Sequence, residues 1–284
     1  MTHSSPIGLI AGEGRLPVIV AQGIQQAGLR VACVAFRGHA DPELQNHCDD
    51  FRTVGLYRMN QWLKTLRRWD ASEAIMVGRV SKARMHDPLR LIREIPDLRS
   101  TMLWYRRLRH DRRNATVLAA IADELARGGV RLLDSTTYIQ DQLAEEGVLG
   151  RTGPSQLQTA DITLAWPLLE QTVEMDIGQS IAVREGDVIA VEALEGTAGM
   201  ITRAGDLCRR SGWTLLKTSK VDHDRRADVP TIGVQTIHEL SAAGAGCLAL
   251  GTGRVILIDR PAVLAAADKA GIAIVGVASS CSEG

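Results

Sequence analysis

VACVAF at 31–36 is an unbroken apolar run, and a shorter one around Ile7, Leu9 and Ile10 precedes it by one helix length. Between them AGEGRLP supplies a glycine turn and sets Pro17 in the first turn of a helix. That helix is expected to run to about Ala27, with Gly28 suited to close it. A strand without polar alternation is covered on both faces, which is the condition of a parallel sheet. The stretch 7–36 therefore reads as one β-α-β unit, and a parallel sheet needs helices on both sides.

The same order continues. A helix carrying Trp62, Leu63, Leu66 and Trp69 is followed by a strand over EAIMVGRV at 73–80. A locally basic run, RSTMLWYRRLRHDRR at 99–113, leads to Asn114 as the cap of a helix with Val117, Leu118, Ile121 and Leu125 at helical spacing. VRLLDS at 130–135 reads as a strand and TTYIQDQLAEEG as a helix. LGRTGPSQ at 149–156 has linker composition, which places a boundary between domains 1–150 and 151–284. Beyond it a helix near 159–174 is expected to break at Pro167. SIAVREGDVIAVEALEG reads as a hairpin turning at Glu185-Gly186-Asp187, and β and α segments then alternate to the end. The fold class expected is α/β in two domains: an N-terminal Rossmann-like parallel sheet and a C-terminal α/β domain.

Composition narrows the function. Lys+Arg and Asp+Glu balance at 33 each, so no global charge draws the chain to nucleic acid. The cysteines are five, scattered and without a C-x-x-C pair, which indicates reduced thiols rather than zinc or disulfides. No apolar run approaches the roughly 20 residues of a membrane span, and the N-terminus lacks the pattern of a signal peptide.

Four motifs carry candidate chemistry. IAGEGRLP, with Gly12, Gly14 and Arg15, opens a helix and offers backbone N–H groups to a phosphate, or it is a simple tight turn. It is not G-x-G-x-x-G, and no Walker lysine follows it. GRVSKARMHDP puts Arg79 and Lys82 beyond the carboxyl end of a strand, where open α/β sheets bind ligands, or in a solvated loop. MDIGQSIAVREGDVIAVEALEGT carries Asp176, Gln179, Glu192, Glu195, Gly196 and Thr197 on or beside the hairpin. Strand alternation turns one of its two late acids inward, where it needs a cation or a partner. KVDHDRRADVPTIG packs Asp222, Asp224 and Asp228 into seven positions, with Lys217 and Lys220 upstream. Carboxylates suit Mg²⁺ or Mn²⁺ bridging to a diphosphate, and they equally suit a solvated turn.

Taken in order along nearly the whole chain, IAGEGRLP, GRVSK, DIGQSIAVREGDVIAVEALEGT and LLKTSKVDHDRRADVPTIGVQTIHELSAAGAG resemble the UDP-2,3-diacylglucosamine pyrophosphatases of lipid A synthesis, the LpxI type. The resemblance implies a metal-dependent hydrolase of two domains with the substrate between them, releasing UMP and 2,3-diacylglucosamine 1-phosphate. It implies a cytoplasmic protein held peripherally at the inner membrane, and a homodimer. The aspartate of D-x-P-T-I-G, here Asp228, is the essential one in that family. On this basis Asp228, Asp224 and Asp222 are the catalytic candidates, and Asp228, Asp176 and Glu192 the candidate ligands of Mg²⁺ or Mn²⁺. Gly12, Gly14, Arg15, Lys82, Gln179, Glu195, Gly196, Thr197, Lys220 and Thr231 are the candidate contacts to the lipid-linked nucleotide sugar. The chain departs from the family pattern at Ala198, where an acid usually follows E-G-T, at Lys220-Val221 and at Arg113-Asn114.

Two rivals make different demands. An NAD-dependent oxidoreductase wants an acid at the end of the second strand, but Phe36-Arg37-Gly38 stands there and no acid follows until Asp41. A non-catalytic nucleotide-sugar sensor would tolerate loss of the acidic segment without change in any rate.

Overall fold

The computed structural model describes residues 5–80, 95–109, 114–226 and 229–279, the side chains of 114 and 115 excepted. The chain divides into two compact units. One is Met1–Gln140 together with the short stretch Asp224–Asp228, and the other is Asp141–His223 with Val229–Gly284.

The N-terminal unit is built on β1 (Ile7–Ala11), α1 (Leu16–Gln26), β2 (Val31–Phe36), β3 (Asp50–Val54), α2 (Met59–Arg68) and β4 (Glu73–Val77). It continues with α3 (Leu98–Leu103), α4 (Asn114–Arg127) and the two-residue β5 (Arg131–Leu132). The sheet order is β3-β2-β1-β4-β5 and every pairing is parallel. This is the Rossmann-like arrangement expected, and β1 and β2 are buried at every position, as their unbroken apolar runs require. The strip Met59, Trp62, Leu63 and Leu66 on α2 faces the core at spacings of three and four residues. Burial of Leu66, which is 0% exposed, contributes about 1.5–3 kcal/mol.

The segment expected to be a helix after β5 is not one. Asp134 accepts the N–H and hydroxyl of Thr136, both at 2.7 Å, and its carbonyl accepts the Thr137 hydroxyl. These local side-chain bonds compete with helical ones. Only a 3₁₀ turn at Gln140–Gln142 follows, and Ile139, Leu143 and Ala144 are buried one by one as the chain leaves this unit.

The C-terminal unit contains β6 (Gly147–Val148), α5 (Gln156–Glu174), β7 (Ser180–Arg184), β8 (Asp187–Val191), α6 (Gly196–Leu207) and β9 (Trp213–Lys217). It closes with β10 (Thr231–Ile232), α7 (Val234–Ala242), β11 (Ala245–Gly251), β12 (Ile256–Leu257), α8 (Arg260–Ala270) and β13 (Ala273–Val277). Its main sheet runs β6-β13-β11-β9-β7-β8. The three central strands are parallel, and β6, β7 and β8 join antiparallel at the edges. The pleat divides the strand residues between two layers. Leu215, Leu248, Leu250 and Ile274 pack with α6, α7 and α8, whereas Leu216, Cys247, Ala249 and Ala273 pack with α5. The hairpin turns where expected, at Glu185-Gly186, whose N–H groups donate to the buried carboxylate of Asp161.

Pro167 does not break α5. The helix runs unbroken through it, with Ser155 and Gln158 forming a reciprocal cap at its start. Pro167 lies on the exposed face, where water can take the carbonyl that loses its helical partner, while Ala165, Trp166 and Leu169 hold the other face in the core.

Burial also grades the thiols. Cys247 is buried and its thiol is pushed up to about 12, and burial likewise raises Cys33. In the native protein at about pH 8, iodoacetamide is expected to label the half-buried Cys48 and Cys208 and to spare Cys33 and Cys247 until denaturant is added. Peptide mapping of the labelled sites checks this, and native labelling of Cys247 would contradict the packing of β11.

Candidate functional site

In the N-terminal unit the strand order reverses between β1 and β4, the switch point at which sheets of this class leave a crevice. The loops after these two strands lie against each other there. The Gly12 N–H donates to the Val77 carbonyl at 2.9 Å, and Glu13 and Arg79 exchange N–H···O bonds of 2.8 and 3.0 Å. A Cβ on Gly12 would stand 2.6 Å from the Arg79 carbonyl oxygen, so the glycine is needed for backbone to meet backbone. Gly14 has φ +99°, and Arg15 then caps α1 without a side-chain bond. The IAGEG and GRV motifs, far apart in sequence, thus share one rim. Arg79 is exposed on it, and Lys82 lies outside the described residues.

Two neighbours of this rim were not singled out from the sequence. The His39 ring, nearly buried, meets the Glu13 carboxylate at 3.0 Å, and Arg15 pairs with Glu43 at 2.6 Å. Arg15 holds the Glu43 carboxyl below its ordinary range. His39 follows the carboxyl end of β2, the place where a ligand-handling residue is sought in such sheets, and that was the available signal.

In the C-terminal unit the polar motifs gather where β9 ends. Ser180 and Lys217 face each other across the β7–β9 pairing. The Lys217 ammonium, 3% exposed, donates to the hydroxyls of Thr197 at 2.7 Å and Ser180 at 3.3 Å, and lies 3.7 Å from Glu192. Both hydroxyls donate in turn to one Glu192 oxygen, at 2.5 and 3.0 Å. One buried cation and one buried anion are therefore joined directly and through two hydroxyls, which is how a charge pair becomes tolerable in a core. Of the two late acids, Glu192 is the one turned inward. Glu195 precedes α6 and pairs at the surface with Arg203, which lowers its carboxyl from the ordinary range. Gly196, at φ +75°, turns the chain from Glu195 into Thr197.

The approach to this cluster is fixed by backbone. A Cβ on Gly178 would stand 2.0 Å from the Glu192 carbonyl oxygen, and the Gln179 carbonyl accepts the Thr218 N–H at 3.0 Å. Lys220 reaches Asp176 at 2.9 Å and the Glu174 carbonyl at 3.0 Å, and the Asp176 carboxylate raises its ammonium above the ordinary range. Beneath the loop, buried Arg254 donates to the Ser219 carbonyl at 3.1 Å. Arg254 and Ser180 carried no pattern that could have marked them beforehand. Thr231 lies apart from these contacts, in the small β10–β12 sheet opposite Ile256.

The acidic segment is divided between the two units. Asp222 is exposed in a turn of the C-terminal unit. Asp224 grips Arg226 with both oxygens, at distances from 2.5 to 3.0 Å, and belongs to the N-terminal unit. There the adjacent Arg225 carbonyl accepts the Ser135 N–H at 2.9 Å. Asp228 lies outside the described residues. Among the described residues no three His, Cys, Asp or Glu side chains come together as metal ligands. Asp176, Glu192 and Asp224 each face a cation of the chain instead. Of the three candidate ligands, Asp176 and Glu192 each meet a lysine, and Asp228 lies outside the described residues.

A Rossmann-like parallel sheet with glycine turns beyond β1 and β4, and a second, mixed sheet with its polar cluster at the end of β9, define a two-unit α/β protein. Residues 6–142 match the LpxI N-terminal domain and residues 145–275 the LpxI C-terminal domain. The chain belongs to the LpxI family. It is 33% identical over 279 residues to the UDP-2,3-diacylglucosamine pyrophosphatase LpxI of Caulobacter vibrioides, covering 95% of this chain and 97% of the relative. Among solved structures, N5-carboxyaminoimidazole synthetase from Staphylococcus aureus is 15% identical with a TM-score of 0.23, over 67% of this chain and 41% of its own. Phosphoribosylglycinamide synthetase from Anaerococcus prevotii is 9% identical with a TM-score of 0.23, over 68% of this chain and 40% of its own. The chain thus spans about two fifths of the length of each.

Proposed function

We propose that this protein hydrolyses the diphosphate bond of UDP-2,3-diacylglucosamine, releasing UMP and 2,3-diacylglucosamine 1-phosphate in lipid A synthesis. The observation that carries the reading is the match to both LpxI domains in order, with 33% identity to a pyrophosphatase of that name along almost the full length of both chains. Each unit by itself carries a feature suited to phosphate: the N-terminal one a helix start after the Gly12–Arg15 turn, the C-terminal one the half-buried Lys220 beyond β9. Positioning and charge neutralisation would supply most of the rate. Asp228 is the group assigned to take the proton from water, with Asp222 and Asp224 in support.

Mg²⁺ or Mn²⁺ is proposed as the cofactor on the family resemblance alone. The protein is proposed to work on the cytoplasmic side, peripherally at the inner membrane. No helix among the described residues is long and apolar enough to cross a bilayer.

The test is UMP release from UDP-2,3-diacylglucosamine by purified protein, with Mg²⁺ and with chelator, for the wild type and Asp228→Asn. Release is expected to need the metal and to fall about a hundredfold or more in the variant. Release that survives the substitution removes Asp228 from the chemistry. Bound substrate with no release under any metal would overturn the hydrolase in favour of a sensor.

A further inference from the structure

Residues 95–109 carry four arginines against one aspartate, in a chain whose basic and acidic residues number 33 each overall. The segment also exposes Ile95, Leu98, Met102, Trp104 and Tyr105, each between 44% and 74%. This face does not result from loose packing. On the opposite side Leu103 is buried and Leu108 half-buried in the core of the N-terminal unit. The Asp97 carboxylate accepts the N–H groups of Ser100 at 2.8 Å and Asn60 at 2.6 Å, and the Ser100 hydroxyl accepts the Met59 N–H at 3.2 Å. These bonds pin α3 to the start of α2.

Beside the face opens a groove of about 740 Å³, where Leu98 and Met102 meet Arg99, Arg106, Arg107 and Arg127. Glu124 pairs with Arg99 at 2.7 Å and also with Arg127, and Asp123 pairs with Arg107 at 2.5 Å. Among the described residues, two acids stand against four guanidiniums there, an excess of positive charge. Arg109 lies over the Tyr105 ring at 4.9 Å.

We propose that this face docks on an anionic bilayer, with its apolar and aromatic side chains entering the headgroup boundary and the arginine groove taking a lipid phosphate. Trp and Tyr favour that boundary, an amphipathic segment lies flat in it, and guanidinium matches phosphate in two-point geometry. Arginines near an anionic leaflet add attraction that salt screens. A second copy of the chain fits worse, because a two-fold contact would set the arginines against themselves. The purpose of the docking rests on the lipid-substrate reading, but its geometry does not.

Co-sedimentation with vesicles tests it, using phosphatidylcholine alone and phosphatidylcholine with roughly one third phosphatidylglycerol. The proteins are the wild type, the triple variant Leu98→Ser/Trp104→Ser/Tyr105→Ser, and Arg106→Glu. The wild type is expected to bind the anionic vesicles, to release in high salt, and to leave the neutral ones in solution. Each variant should bind about tenfold more weakly or worse. Release of UMP from detergent-dispersed substrate should be unchanged in both variants. Equal binding by wild type and variants overturns the proposal. So does a dimer that the variants dissolve while vesicles stay unbound, since the face then belongs to a second copy. Vesicle binding that depends on the patch, without any UMP release, sustains the docking and overturns the substrate reading. UMP release with no vesicle binding does the reverse.

Discussion

Lys217→Met should lower the stability of the C-terminal unit by about 3–5 kcal/mol, because it leaves the Glu192 carboxylate buried without a cation. Glu192 is 8% exposed and Lys217 3%, so water cannot replace the lost partner cheaply. The hydroxyls of Ser180 and Thr197 lose the ammonium that orders them as well. Urea unfolding followed by circular dichroism measures the loss. The double variant Lys217→Met/Glu192→Leu should recover most of it, since a matched apolar pair carries no stranded charge. An unchanged midpoint for Lys217→Met would mean that the cluster is not closed to solvent. UMP release per folded molecule separates a structural lysine from one that also meets the substrate, because only the second lowers kcat/KM.

Gly78→Val is the second large effect expected, at about 2–6 kcal/mol in the N-terminal unit, from backbone strain together with overpacking. Gly78 has φ +99°, and a Cβ there would stand 2.7 Å from the Gly12 carbonyl carbon. No side chain can bend away to make room, because both partners are backbone. Gly14→Val is the control. Gly14 has the same φ but nothing within 4 Å of a Cβ, so only the strain of about 1–3 kcal/mol remains. Thermal unfolding of the two variants isolates the close approach. Equal losses would show that the two loops do not touch as described.

What the sequence revealed follows from how local each signal is. The parallel sheet was legible because VACVAF has no polar member, and the hairpin because Glu185-Gly186-Asp187 interrupts two short apolar runs. Pro167 misled because a helix tolerates proline when the orphaned carbonyl faces water, and which face is wet depends on the packing of Trp166 and Leu169. The stretch after β5 misled because Asp134 and Thr136 close their own ring of hydrogen bonds against a helical periodicity. Within the candidate site, Glu192 against Glu195 could be posed as a choice but not decided, since the strand ends at Val191 before either acid. The Ser180–Lys217 contact depends on antiparallel register between segments far apart in sequence, and single residues do not announce a register.

The stretch Asp224–Asp228 has a consequence for descent. It belongs to the N-terminal unit but is encoded deep within the C-terminal half. An exchange of gene segments at residue 140 would hand on an N-terminal unit lacking the carbonyl that Ser135 meets, and a C-terminal half still carrying a piece of its former neighbour. The two halves are therefore poor candidates for separate inheritance.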